Sequence, residues 1–174
     1  ADIYPDMKSL IQAFDRLAEI TNPDGFFIVC SESEAPLRVS MRTKANVVTY
    51  GFHEAADSLA TNVVITKTET TFLWKTKKHK NKITLKTTGK HNVLNALACL
   101  TWAEQRDKDI DKVIAALASY EGVKRRQEVF AQKNQITLID DFAHHPTAVR
   151  ETLMAIRSKY SGARIIACFE PRSA

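Results

Sequence analysis

The chain has 174 residues, 44% of them apolar and 26% charged, with a net charge of +5, the balance of a globular protein with a sizeable core. Its five dispersed glycines exclude a Gly-rich phosphate loop. No apolar run reaches the roughly 20 residues of a membrane-crossing helix, and the first residues lack the basic and apolar regions of a secretory leader, so a cytoplasmic protein with no membrane partner is expected. Cys30, Cys99 and Cys168 lie at wide, unequal spacing inside apolar runs, which reads as buried free thiols and not as a disulfide framework or zinc knuckle.

In chain order, Met7, Leu10, Ile11, Phe14, Leu17 and Ala18 repeat at the spacing of an amphipathic helix, ended by Asn22-Pro23-Asp24-Gly25. Phe26 to Cys30 reads as a strand buried on both faces. A short helix over 34–41 and a strand over 47–50 complete a β-α-β unit with a parallel pair. Val63 to Thr66, Thr71 to Trp74 and Ile83 to Leu85 are β-branched or aromatic runs and predict an antiparallel meander. Seven lysines, Lys75, Lys77, Lys78, Lys80, Lys82, Lys86 and Lys90, fall within residues 75–90 with no acid among them. They read as protection of an edge strand, because Phe72 and Trp74 precede them and do not interleave with them as stacking on nucleic acid requires.

Helices are predicted over 91–105, with Val93, Leu94, Leu97, Ala98, Thr101 and Trp102 inward, and over 110–119. Residues 120–124 form a junction, after which a strand pair turns near Lys133-Asn134. A helix over 147–160 and an apolar strand over 165–169 come next. Such a half-unit cannot bury both faces of a sheet, so the expectation is a piece of a longer enzyme.

Three segments carry chemistry. Gly89-Lys90-His91-Asn92-Val93-Leu94-Asn95 sets two carboxamides on one face of a helix start, and a carboxamide offers the donor and acceptor that a nucleobase edge needs. Lys124-Arg125-Arg126 supplies cations able to hold phosphate oxygens at the junction. Asp140-Asp141-Phe142-Ala143-His144-His145-Pro146-Thr147 packs two carboxylates and two imidazoles at the carboxyl end of a strand, where open α/β sheets place ligands. Capping of the next helix accounts for one of these acids only, and no third ligand stands at metal-site spacing.

The order G-K-H-N-V-L-N-A-L-A, G-V-K-R-R-Q-E, D-D-F-A-H-H-P-T resembles the ATP-dependent Mur ligases of bacterial peptidoglycan assembly. The opening Ala1-Asp2-Ile3-Tyr4-Pro5-Asp6 is similar to the residues just after the histidine of that family's D-H-x-D segment. The resemblance implies an α/β fold, with residues 1–122 the later part of the central ATPase domain and 123–174 the start of a Rossmann-like C-terminal domain. It implies ATP and Mg2+ as cofactors. Asn92 and Asn95 would contact adenine with His91 close by, Arg126 would reach the phosphates, and Asp141, His145 and less firmly His144 would meet the nucleotide from the C-terminal side. Arg126, Asp141 and His145 would be the catalytic group, and no metal ligand is assigned.

The implied reaction is phosphoryl transfer from ATP to the lactyl carboxylate of UDP-N-acetylmuramate, then amine attack on the acyl phosphate. Together with Glu170-Pro171-Arg172-Ser173, the motifs resemble the members that take the murein tripeptide L-Ala-γ-D-Glu-meso-diaminopimelate, for peptidoglycan recycling. L-alanine is the alternative acceptor. The family's G-x-x-G-K-T-T loop, its magnesium-holding glutamate and histidine, and its UDP-binding domain are absent from this sequence. Phe14 and Asp15 stand where several relatives have a carbamylated lysine, so Lys8 is expected at the surface. Two other classes remain: a metal-dependent hydrolase using Asp140, Asp141, His144 and His145, and a nucleic-acid binder using the lysine run. Each leaves two of the three segments unexplained, so no nucleic-acid partner is expected; oligomeric state is not encoded in these patterns.

Overall fold

A computed structural model describes residues 4–170. Ala1, Asp2 and Ile3 of the opening motif and Pro171, Arg172 and Ser173 of the closing one lie outside the described residues. The architecture is α/β, with a five-stranded mixed sheet and a separate two-stranded ladder.

Helix α1 (Met7–Ile20) starts where Asp6 accepts the Ser9 amide, and β1 (Phe26–Cys30) comes after the Asn22–Gly25 turn. Helix α2 (Glu34–Ser40) crosses back to β2 (Asn46–Gly51), which pairs parallel with β1. Strand β3 (Ser58–Ile65) then runs parallel to the end of β2, pairing Tyr50 with Ser58 and Gly51 with Leu59. A short loop makes this possible because Asp57 Oδ2 accepts both the Thr49 amide and hydroxyl. β3 thus begins earlier than the β-branched run at Val63 suggests. β4 (Thr70–Lys75) and β5 (Lys80–Leu85) complete the antiparallel meander, with Lys75 opposite Lys80.

Helices α3 (Lys90–Gln105) and α4 (Ile110–Ser119) pack on each other and on this sheet. Between them lies the core: Phe72, Trp74, Ile83, Val93, Leu97 and Leu100, each at most 1% exposed. Each such side chain stabilises the fold by roughly 1.5–3 kcal/mol on burial. The Trp74 indole N–H donates to Ser58 Oγ at 2.9 Å, so this large ring is buried without an orphaned donor. The inward stripe of α3 is Val93, Ala96, Leu97, Leu100, Thr101 and Glu104. Trp102, expected inward, is 53% exposed, because the stripe runs i, i+3, i+4, i+7, i+8 from Val93 and leaves Trp102 at its margin.

The second ladder joins β6 (Glu128–Lys133) to β7 (Ile136–Asp140). Asn134 and Gln135 both take positive φ, at 50° and 63°, the backbone that closes a two-residue hairpin with the twist of its strands. Helix α5 (Pro146–Lys159) begins with Pro146 in its first turn, where a missing N–H costs nothing.

Three expectations are corrected. Residues 165–169 form no strand and find no ladder partner among the described residues, leaving Ile166 and Phe169 exposed; an apolar run becomes a strand only by pairing. β1 lies at the edge of the sheet and only Val29 in it is fully buried. Cys99 and Cys168 are exposed and Cys30 is half-buried, so the thiols are free but not sequestered. Lys8 is exposed. Among the described residues no helix is long and apolar enough to cross a membrane.

Candidate functional site at the junction of the two sheets

The site is assembled around Gly89. This residue precedes α3 at φ 103° and ψ 146°, a conformation that side chains of L-residues oppose. A Cβ placed there would lie 2.8 Å from His91 Cε1 and 3.2 Å from the Ala155 methyl of α5. The start of α3 and the face of α5 therefore touch at a residue with no side chain.

From that contact α3 presents His91, Asn92 and Asn95. Asn92 Nδ2 donates to the Thr88 carbonyl at 2.8 Å, which anchors one end of the carboxamide and leaves its carbonyl oxygen available. Asn95 lies nearly one turn further along and is exposed. His91 is half-buried, and burial holds its pKa below the usual value of 6.5. Glu151 and Asp141 oppose that shift by favouring the imidazolium, while Arg126 reinforces it. Groups from three other segments thus act on one imidazole.

Across the junction, a turn over 123–126 carries the cations. Arg125 is committed to structure: its Nε reaches Asp140 Oδ2 at 3.3 Å, its guanidinium stacks 5.2 Å from the Phe142 ring, its carbonyl accepts the Phe142 amide at 2.8 Å, and its amide donates to Glu128. The Arg126 side chain is exposed and makes no hydrogen bond or ion pair among the described residues. A positive φ at Arg125 and again at Gln127 directs these neighbours apart. The residue pattern alone gave Arg125 the same phosphate-holding reading as Lys124 and Arg126, whereas the structure commits it to Asp140 and Phe142.

Asp141 ties the same turn to the loop after β7. One carboxylate oxygen accepts the Gln127 amide at 2.9 Å and the other the Ala143 amide at 2.7 Å. His144 Nδ1 contacts the Phe142 carbonyl at 3.0 Å, and its ring lies 4.3 Å from that of His145, which caps α5 through its backbone and is exposed. The structure therefore brings His91, Asn92, Arg126, Asp141 and Glu151 to one junction. Glu151 was not singled out from the sequence, where it is one acid in a helix.

Magnesium does not fit this set. Among the described residues no group of three or more His, Cys, Asp or Glu side chains converges to hold a metal, and each Asp141 oxygen already accepts a backbone amide. The hydrolase arrangement of Asp140, Asp141, His144 and His145 is not assembled among the described residues. Two clefts lie away from it: one of about 400 Å³ between His79, Glu104 and Asp111, and one of about 580 Å³ along Val149, Leu153 and Arg157 of α5.

Residues 1–103 match the family described as Mur ligase middle domain, and residues 125–174 match Mur ligase, glutamate ligase domain. The chain belongs to the Mur ligase family. The UDP-N-acetylmuramate–L-alanine ligase of Clostridium kluyveri is 31% identical over 174 residues, 99% of this chain and 38% of that protein. A solved murein peptide ligase from Psychrobacter arcticus is 25% identical, with a TM-score of 0.72 over 98% of this chain and 36% of that one. A MurF from Acinetobacter baumannii, at 22% identity, shares the fold with a TM-score of 0.80 over 90% of this chain and 34% of that chain. This Mur ligase chain thus spans between 32% and 38% of the length of these curated relatives.

Proposed function

We propose that this chain is the nucleotide-facing part of an ATP-dependent ligase that joins an amino group to the lactyl carboxylate of UDP-N-acetylmuramate. The observation that supports it is the meeting, at one junction, of segments from the two matched family domains, Gly89 to Asn95 from the first and Arg126 with Asp141 from the second. Residues 1–122 and 123–174 are proposed as the two domain parts, with the hinge at Gly122, whose φ is 102°.

ATP as substrate supplies the phosphoryl group that activates the carboxylate toward the amine. The chain's own residues bind and orient. The Asn92 carbonyl oxygen and the Asn95 carboxamide face the adenine edge, and Arg126 neutralises phosphate charge that a loose transition state spreads over its oxygens. Asp141 holds the turn that carries Arg126, and His145 with His144 closes the nucleotide from the α5 side. Such chemistry depends on positioning and charge and requires no protein nucleophile.

L-alanine is the acceptor favoured by the named curated relatives. The murein tripeptide is the second reading, favoured by the Phe169-Glu170-Pro171-Arg172-Ser173 pattern and by the similarity to the solved murein peptide ligase. The test supplies the full-length protein containing this chain with UDP-N-acetylmuramate, ATP and magnesium, plus either acceptor, and tracks phosphate release. Release that requires L-alanine establishes the first reading, and release that requires the tripeptide replaces it. Silence with both refutes the ligase proposal. Arg126→Ala is expected to abolish turnover with little change in folding.

A further inference from the structure

We propose that Arg125 is a positioning residue: its side chain clamps the 123–126 turn to the loop after β7 and thereby fixes the direction in which Arg126 leaves that turn. Its catalytic consequence rests on the ligase reading; its geometry does not.

Arg126 sits between two anchored neighbours. On one side, the Arg125 carbonyl accepts the Phe142 amide at 2.8 Å, and the Arg125 amide donates to Glu128 Oε2 at 2.8 Å. On the other, the Gln127 amide donates to Asp141 Oδ2 at 2.9 Å. Arg126 itself closes the turn by donating its amide to the Val123 carbonyl at 3.2 Å. Hydrogen bonds therefore hold Arg125 and Gln127 to Phe142 and Asp141, consecutive residues of one loop. The Arg126 side chain, with no hydrogen bond or ion pair among the described residues, takes its direction from this backbone. Both neighbours are left-handed, Arg125 at φ 59° and Gln127 at φ 51°. Side chains other than glycine oppose that conformation, so two such residues flanking a third persist only where the surroundings over-determine them.

The Arg125 side chain supplies that extra restraint. Its Nε donates to Asp140 Oδ2 at 3.3 Å, and its Cζ stands 5.2 Å from the centroid of the Phe142 ring. Asp140 and Phe142 flank Asp141, so one side chain grips the loop on both sides of the carboxylate that holds Gln127. A planar guanidinium can pair through its edge while stacking through its face, which a lysine ammonium cannot do. The two side chains of the ion pair are 62% and 41% exposed, and screening leaves such a pair little weight in global stability. Its effect is on the direction of the turn, where a small misplacement of Arg126 matters to a reaction that depends on positioning.

The test uses the full-length protein containing this chain, assayed for phosphate release with UDP-N-acetylmuramate, magnesium, varied ATP and the acceptor that supports turnover. Arg125→Ala removes the side chain while leaving a non-glycine residue at the left-handed position. It should lower kcat on the order of tenfold, with little change in the KM for ATP or in Tm. Asp140→Asn should act in the same direction, and Arg125→Lys should recover part of the loss. In an Arg126→Lys background Arg125→Ala should add little, because its effect passes through Arg126. Deuterium uptake over 123–127 and 140–145, read by mass spectrometry, should rise in Arg125→Ala. Unchanged uptake, parental kcat in Arg125→Ala, or the same fold-loss in the Arg126→Lys background as in the parent each overturns the proposal. A parent silent with both acceptors refutes the ligase reading instead, and the uptake result then decides the clamp by itself.

Discussion

Replacing Gly89 by alanine tests the junction most directly. The backbone there, φ 103° and ψ 146°, lies where a Cβ is opposed, at a cost of roughly 1–3 kcal/mol. The added methyl meets the Ala155 Cβ at 3.2 Å and His91 Cε1 at 2.8 Å. The histidine ring can swing away, but Ala155 belongs to a helix and must take the whole of α5 with it, an overpacking cost of about 1–3 kcal/mol. The sum is about 2–6 kcal/mol, a fall in Tm on the order of 10 °C for a chain of this size. Gly162→Ala separates the two contributions, since Gly162 has φ 83° and nothing within 4 Å of its Cβ site. It should cost only the backbone part, about 1–2 kcal/mol. Thermal unfolding by circular dichroism reads both. Equal losses for the two variants would mean that α3 and α5 do not meet at Gly89, and the reasoning about the junction would fail with that contact.

Leu97→Ala removes a side chain with no exposed surface from the centre of the core and should destabilise by roughly 2–5 kcal/mol in urea titration. Asp109 caps α4 by accepting the Lys112 amide, and its hydrogen bonding to Lys112 holds its pKa below the usual 3.8. Its contribution is therefore present above that value and lost as pH falls through the lowered folded one. Asp109→Ala should lower Tm at neutral pH and have no effect in strong acid. His91 is held below its usual 6.5 by burial, so the unfolded state binds more protons between the two values. Stability should rise with pH across that window and level off above it, and His91→Gln should flatten the rise in pH-dependent melting curves.

Much of the candidate site was legible because its residues come in short ordered runs. His91, Asn92 and Asn95 share a helix start, and Asp141 to His145 share a strand end, so local spacing placed each group without tertiary knowledge. Division of labour between Arg125 and Arg126 was not legible in local spacing, and only the family resemblance singled out Arg126. Two adjacent arginines are equivalent until backbone φ directs one toward Asp140 and Phe142 and the other outward.

By itself the sequence determined the order and kind of nearly every element, through signals that act within a few residues: the apolar spacing of α1 and α3, the Asn22–Gly25 break, Pro146 at a helix start, and a hairpin turn placed within a residue of the Asn134-Gln135 that forms it. It also determined family membership, because three motifs in fixed order survive even where overall identity is low. Tertiary structure alone decided which stripe of α3 faces the core, whether residues 165–169 pair, whether the cysteines are sheltered, and that α5 seats on Gly89. Each of these depends on a partner distant in the chain, and burial, pairing and long-range charge exist only once the two surfaces have met.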